Sequence, residues 1–255
     1  MLGIRHLFGI TFVICYMYLS VIIPAYNEEK NIEKTVRSIF AYFKNKNIDH
    51  EIMVATDGSP DRTNEIVQKL QSEIPTLNLL KYDKNRGKGF AVKSAMMQAK
   101  GDLRLFTDAD NSTSIDHFDK FFPYISEGYS VVIGSIAVPG HKVAAGSEPA
   151  WRRLFGKLGN LFVQVMAVPG IHDTQRGFKL FTAEAAGKIF PKLTIERWGF
   201  DIEALALARK FGFKIKEVPV DWKNAPESRV TLKSYFQVLT ETVKIRWNLL
   251  TSKYN

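Results

Sequence analysis

Eight residues, Leu103-Arg-Leu-Phe-Thr-Asp108-Ala109-Asp110, constrain this chain more than any other stretch: a short apolar run that ends in two acids two positions apart. Such a run reads as a strand buried in a sheet, and its carboxyl end is where open α/β sheets bind ligands. Two carboxylates placed there suit a hard divalent cation holding a diphosphate. Asp-x-Asp also recurs by chance, and in isolation it is compatible with a solvated turn. The neighbouring segments decide between the two.

Upstream, Leu19-Ser-Val-Ile-Ile-Pro24-Ala-Tyr26-Asn27-Glu28-Glu29 is an apolar strand that stops at a proline and opens a helix with an amide and two acids. Proline ends a sheet ladder, and acids favour a helix amino terminus. A second strand, Glu51 to Thr56, runs into Asp57-Gly-Ser59-Pro-Asp61-Arg-Thr63, where Gly58 permits a tight turn and Ser59 or Asp61 caps the following helix. A third, Leu77 to Tyr82, leads into Asn85-Arg86-Gly87-Lys88-Gly89, whose glycines admit close backbone approach and whose cations suit a phosphate. Strand, polar loop and helix thus repeat three times before Asp108, the pattern of a nucleotide-binding α/β sheet.

These motifs resemble the inverting GT-A glycosyltransferases of family 2, marked by Pro-x-Tyr-Asn-Glu, an Asp-Gly-Ser loop and Asp-x-Asp in that order. Asp173-Thr-Gln-Arg-Gly-Phe-Lys-Leu-Phe181 and Glu196-Arg-Trp-Gly-Phe-Asp201-Ile-Glu203 are similar to the dolichyl-phosphate β-glucosyltransferase branch, as is Asn85 to Gly89. The resemblance spans about residues 19 to 250. It implies an open mixed sheet of Rossmann-like type flanked by helices, with residues 19–135 as the nucleotide-sugar half and 136–255 as the acceptor half.

Composition bounds the reading independently. With 45% hydrophobic residues, 255 residues are enough to bury one large core. Cys15 is the single cysteine, so the chain has no internal disulfide and a reducing compartment is expected. A net charge of +9 favours anionic partners. The sequence carries no nucleic-acid motif, no Cys/His cluster and no internal repeat. His172, beside an acid, reads more readily as a surface or supporting residue than as a ligand.

Leu7 to Ile23 holds seventeen consecutive uncharged residues, near the lower limit for a membrane span. Leu19 to Ile23 are required by the first strand, and roughly a dozen residues are too few to cross a bilayer. Residues 1–18 are therefore expected to be an apolar extension, either packed or interfacial, irregular, or a true anchor. Trp151 to Met166 has apolar residues at helical spacing, with Arg152, Arg153 and Lys157 toward its start. Leu232 to Tyr254 repeats that mix with Tyr235, Phe236, Trp247, Lys244, Arg246 and Lys253. Both read as helices covering the sheet or as helices lying in a membrane interface.

The resemblance implies residue roles. Asp110, with Asp108 beside it, would hold Mg2+ or Mn2+, Asp108 reaching either the metal or the ribose. Pro24, Tyr26, Glu28 and Ala109 would line the nucleotide cleft, Asp57 would face the uracil edge, and Arg86 and Lys88 the diphosphate. Asp201 would face the acceptor as the second catalytic residue. Asp173, Gln175, Arg176 and Lys179 would line the sugar and phosphate pocket, and Arg152 and Arg153 would hold a lipid phosphate. The residues alone also permit plainer roles, with Tyr26 packing, Asp57 capping a helix, and Asp201 a buried acid paired with Arg197.

Three departures from the family pattern stand out. Thr56-Asp57 replaces a paired Asp, Arg176 replaces the usual Cys, and Ile136 follows Gly134-Ser135 where Arg is common. The expected activity is transfer of a hexose, most readily glucose, from a UDP-sugar to a polyprenyl phosphate at the cytoplasmic face of a membrane. The expected cofactor is a divalent metal. A family 2 enzyme acting on a soluble saccharide or polymer, or a silent binding module, are the alternatives.

Overall fold

A computed structural model of the chain describes residues 2–7, 10–15, 18–140, 150–222 and 232–255, with the side chains of 2–15, 150–155, 157 and 232 outside the description. Leu2–Leu7 (β1) and Ile10–Cys15 (β2) pair as an antiparallel two-stranded sheet. The apolar amino-terminal segment is thus strand and not helix over these residues. Among the described residues, no helix is long and apolar enough to cross a membrane.

The main sheet is built from Leu19–Ala25 (β3), His50–Asp57 (β4), Leu77–Tyr82 (β5), Leu103–Thr107 (β6), Val131–Ser135 (β7), Phe178–Thr182 (β8) and Ile215–Pro219 (β9). The helices are Ile32–Asn45 (α1), Thr63–Gln71 (α2), Lys88–Gln98 (α3), Phe118–Ser126 (α4), Ala150–Met166 (α5), Ala183–Ile189 (α6), Phe200–Lys210 (α7) and Leu232–Leu250 (α8). Strand order is β5-β4-β3-β6-β8-β7-β9. β3 pairs in parallel with β4 and β6, β4 with β5, and β7 with β9, while β8 runs antiparallel between β6 and β7. This is the expected open mixed sheet.

Every residue of β3 and β4 is buried, as parallel strands covered on both faces require. Two packed layers cover those faces, one holding Val36, Ile39, Phe43 and Val67 and the other Val92, Ala95, Phe200 and Leu205. α1 buries Ile32, Thr35, Val36, Ile39 and Phe43, one stripe at helical spacing. Two local expectations shift. β3 continues through Pro24 because pairing with β6 has already stopped at Ile22, so no ladder bond on that side needs the missing N–H. Glu28 and Glu29 lie in a loop, and α1 begins at Ile32.

Because β7 and β9 run in the same sense as β6, their carboxyl ends lie on the edge where β3, β4 and β6 end, and β8 begins there. One sheet edge therefore gathers Pro24, Asp57, Asp108, Ile136, Gly177 and Trp222.

Candidate active site

The loop after β3 and the loop after β4 are laced together. Backbone N–H groups of Asn27, Glu28 and Glu29 donate to Ser59 Oγ, Thr63 Oγ1 and Asp61 Oδ2 at 3.0, 2.9 and 3.0 Å. Asp61 also accepts from the Thr63 N–H at 3.1 Å, so it is the acid that holds the start of α2 while Ser59 serves the neighbouring loop. Tyr26 is partly exposed at this edge, and Glu28 accepts from Asn31 Nδ2 at 2.9 Å.

Asp57 is buried at the end of β4, and both carboxylate oxygens are used: Oδ1 accepts from Arg86 N–H at 2.9 Å and Oδ2 from Gly87 N–H at 2.6 Å. It anchors the loop that opens α3 and does not cap α2. The Arg86 guanidinium pairs with Glu196 and lies 3.8 Å from the Phe90 ring centroid. The Phe90 N–H donates to the Glu196 carbonyl at 2.9 Å, and a Cβ on Gly89 would lie 2.7 Å from Phe200 Cβ. The donor-side loop and the segment leading into α7 are thus one packed unit.

Asp108 and Asp110 follow β6. Lys88 Nζ lies 2.6 Å from Asp108 Oδ1, and Asp110 Oδ1 accepts from Ser112 N–H at 2.9 Å. Between them the Ala109 carbonyl accepts from Thr35 Oγ1 of α1 at 2.7 Å, which pins the turn. Burial pulls the Lys88 ammonium pKa down, but Asp108, Asp201 and Asp110 outweigh it and hold it above its ordinary value. Each of the two acids keeps a second oxygen with no hydrogen bond from the described residues. Two carboxylates with room for substrate phosphates and water fit a hard divalent cation, since magnesium is commonly held by one or two carboxylates plus phosphate oxygens. Among the described residues no three His, Cys, Asp or Glu side chains form a complete cage. The substrate would complete the coordination.

Gly177 explains how Asp108 fits. The Asp108 N–H donates to the Gly177 carbonyl at 3.1 Å, and a Cβ at 177 would fall 1.9 Å from Asp108 Oδ2. Only a glycine lets β8 begin against that carboxylate.

Asp201 lies in the first turn of α7, buried, with Lys179 Nζ at 2.7 Å from Oδ1. The approach is an ion pair off the hydrogen-bonding direction, leaving Oδ1 without an aligned donor. Burial pushes the carboxyl pKa up, against the opposing pull of Lys179 and Lys88. The partner is Lys179 and not Arg197, because Arg197 precedes the helix and the four-residue helical spacing does not exist there. Lys179, 1% exposed, stands beneath the cleft and not on its wall, and it also donates to the Arg176 carbonyl.

The remaining expected acceptor-side residues separate. Gln175 is exposed. Asp173 Oδ2 accepts from Ile136 N–H and from Arg176 Nε, both at 3.0 Å. Arg152 and Arg153 open α5, but their side chains lie outside the described residues.

Residues 20–190 match the sequence model described as glycosyl transferase family 2. This chain is a family 2 glycosyltransferase. It is 36% identical over 243 residues to a dolichyl-phosphate beta-glucosyltransferase of Trichomonas vaginalis, covering 90% of this chain and 73% of that protein. The human dolichyl-phosphate beta-glucosyltransferase is 31% identical over 250 residues, covering 92% and 77% respectively. Among solved structures, glucosyl-3-phosphoglycerate synthase from Mycobacterium tuberculosis bound to UDP superposes with a TM-score of 0.65 at 18% identity, covering 91% of this chain and 80% of that one. Mannosyl-3-phosphoglycerate synthase from Rubrobacter xylanophilus gives 0.64 at 16%, covering 93% and 75%. At those identities the likeness is one of fold.

Several residues of this glycosyltransferase that shape the site were not found from sequence. Glu203, fully buried, accepts from the N–H groups of Thr194 and Ile195 at 2.9 and 2.8 Å and from Tyr254 OH at 2.6 Å. It fixes the segment that braces the Arg86 loop. Glu203 stands two residues after Asp201 inside an apolar helix, and a charge in that setting is the signal that was available. Gly177 stood inside the Asp173 to Phe181 motif with no role of its own, and Thr35 carried no signal.

Proposed function

We propose that this glycosyltransferase moves glucose from UDP-glucose to a polyprenyl phosphate, with inversion, at the cytoplasmic surface of a membrane. The observation that carries the reading is the gathering at one sheet edge of the Asp108/Asp110 pair, the Arg86–Lys88 loop and Asp201. The chain's curated relatives, 31–36% identical, are named as dolichyl-phosphate beta-glucosyltransferases.

A phosphate oxygen of the acceptor attacks the anomeric carbon opposite the nucleotide. The bond from that carbon to the β-phosphate oxygen breaks, and UDP leaves. An ionised phosphate needs no strong base, so Asp201, held by Lys179, orients the reacting groups. Asp108 and Asp110 would hold Mg2+ or Mn2+, which neutralises charge on the leaving diphosphate. Lys88 adds a fixed cation beside them, Arg86 a second. Tyr26, Glu28 and Pro24 border the nucleotide, and Asp57 holds the loop against which it lies.

The acceptor reading is supported by an exposed apolar face. α5 packs on α8, and together they present Leu158, Leu161, Val165, Phe236, Val243, Trp247 and Leu250, each 50–70% exposed. Lys244 and Arg246 are exposed beside them. Apolar and aromatic side chains flanked by cations suit a helix pair lying in the lipid interface. Arg152 and Arg153, at the start of α5, are the cations we assign to the lipid phosphate.

Purified protein given radiolabelled UDP-glucose, polyprenyl phosphate and Mg2+ or Mn2+ should form a lipid-soluble glucoside and UDP, and chelator should stop it. Product formed only with soluble saccharides would replace this reading with that of a soluble-acceptor enzyme.

A further inference from the structure

Arg176 is the one described cation at the site whose charged group is held on its flank and left open at its tip. Nε donates to Asp173 Oδ2 at 3.0 Å, and the guanidinium carbon lies 4.6 Å from the Trp222 ring centroid. The side chain is 26% exposed, and its two terminal nitrogens have no hydrogen-bond partner among the described residues. Its support is rigid. Asp173 Oδ2 is also held by Ile136 N–H, and the Asp173 N–H donates to Glu217 Oε1 at 2.9 Å. Glu217 is itself fixed by the His172 N–H and ring Nδ1, both at 2.9 Å.

Position and charge together decide what such a group reads. Arg176 directly precedes Gly177, whose backbone abuts the Asp108 carboxylate, so its Cα lies about 3.8 Å along the chain from the diphosphate end of the cleft. The Asp173–Ile136 contact is at the end of β7, two strand spacings or about 10 Å from β6 along the edge. The group therefore flanks the edge on the β7 side of Asp108, next to the diphosphate end, where a sugar carried on that diphosphate would lie. The guanidinium is already paired with the Asp173 carboxylate, and Glu217 stands behind that pair, bonded to the Asp173 N–H. With its charge largely matched, the group has little left to draw a phosphate dianion and suits a neutral polyol: the open nitrogens donate to hydroxyl oxygens, and Asp173 accepts from a hydroxyl.

We infer that Arg176, oriented by Asp173 and Trp222, is a specificity-determining residue that hydrogen-bonds a hydroxyl of the donor hexose. The inference rests on the UDP-hexose reading above. It assigns the sugar, and not either phosphate, to this guanidinium, and adds Trp222 as its platform.

The test compares wild type and Arg176→Ala with UDP-glucose and its 2-, 3-, 4- and 6-deoxy analogues, using polyprenyl phosphate as acceptor. A site built to bond a hydroxyl discriminates by large factors against the analogue lacking it. Expected for Arg176→Ala is a fall of about a hundredfold in kcat/KM for UDP-glucose, with no comparable fall for one deoxy donor, which identifies the hydroxyl. The dissociation constant for UDP and the KM for polyprenyl phosphate should stay at wild-type values. Arg176→Lys should recover only part of the loss, since an ammonium cannot reproduce the fork. Trp222→Ala should weaken discrimination in the same direction. An equal fall across every donor would overturn the inference, as would a rise confined to the KM for polyprenyl phosphate, which would move Arg176 to the acceptor. Wild-type protein that makes no lipid product from any UDP-hexose overturns the underlying reading as well. Wild-type activity with an unaffected Arg176→Ala overturns this inference alone.

Discussion

Lys179 and Asp201 meet at 2.7 Å beneath the cleft, one from the interior strand β8 and the other from the first turn of α7. The pair is buried, and burial still lifts the Asp201 carboxyl pKa above the usual carboxylate range despite the lysine. Burial works against the ionised carboxylate, and Lys179 pulls the other way. A buried pair of this kind is weak support for stability, and its position under the reacting groups accounts for it better.

Each single removal should strand a charge. Lys179→Met or Asp201→Asn is expected to lower stability by about 3–5 kcal/mol, whereas Lys179→Met/Asp201→Asn together should return most of it. Transfer should remain at least tenfold down in the double variant. Denaturant melts and initial rates on the same three preparations check this. Activity that recovers along with stability would reduce the pair to packing.

Much of the donor side was legible because its signals are local. β5 spans the expected residues, β4 extends the expected run by one residue at each end, and β6 ends at the two acids, since burial and composition mark short strands directly. Sequence leaves Ser59 and Asp61 as alternative caps for α2, and the contacts that separate them reach loops more than thirty residues away. The acceptor side resisted for the same reason. Sequence offers Arg197 as a partner for Asp201, yet the partner arrives on an antiparallel strand whose insertion between β6 and β7 no local pattern encodes. Glu203 and Tyr254 meet across fifty-one residues.

Gly177→Ala separates fold from chemistry. The added methyl would fall 1.9, 2.1 and 2.4 Å from Asp108 Oδ2, Cγ and Oδ1, so the whole carboxylate must turn away from its place beside Lys88. The chain should fold, with unchanged far-ultraviolet circular dichroism, while the displaced carboxylate lowers kcat/KM about a hundredfold. Affinity for Mn2+, read by paramagnetic resonance in the presence of UDP, should fall with it. Unchanged turnover would show that Asp108 has no fixed role.

Asp57 presents a choice between two losses. In Asp57→Ala the N–H groups of Arg86 and Gly87 lose their acceptor, which costs about 1–3 kcal/mol of stability when such donors stay buried. UDP affinity, measured by calorimetry, should fall as the loop carrying Arg86 and Lys88 loosens. A weakened UDP affinity with unchanged stability would instead favour a direct contact to the base.

Asp110→Asn keeps the side chain's shape and its contact to Ser112 while removing its charge. Turnover should vanish with thermal stability unchanged, and added Mn2+ should no longer protect the protein against heating with UDP. Near-normal activity in this variant, or wild-type activity in excess chelator, would remove the metal from the mechanism.

The exposed face of α5 and α8 makes the final prediction. Trp247 and Leu250 are each 66% exposed, so replacing both with serine removes little packing, and stability should change by no more than about 0.5 kcal/mol apiece. If these side chains enter the lipid interface, each contributes about 1.5–3 kcal/mol of transfer there. Vesicle binding should then weaken by tenfold or more per residue. The exposed Lys244 and Arg246 add attraction to anionic headgroups, screened over about 10 Å at 0.1 M salt. Flotation with anionic vesicles should therefore fall in Trp247→Ser/Leu250→Ser and, for the wild type, with added salt. Turnover on a long-chain lipid phosphate in vesicles should fall in parallel, while UDP affinity stays unchanged because Trp247 and Leu250 are exposed and the contact of α8 to the segment before α7 is made by Glu241, which is left intact. A double variant that floats and glucosylates like the wild type would mean that this face meets another protein and not a bilayer.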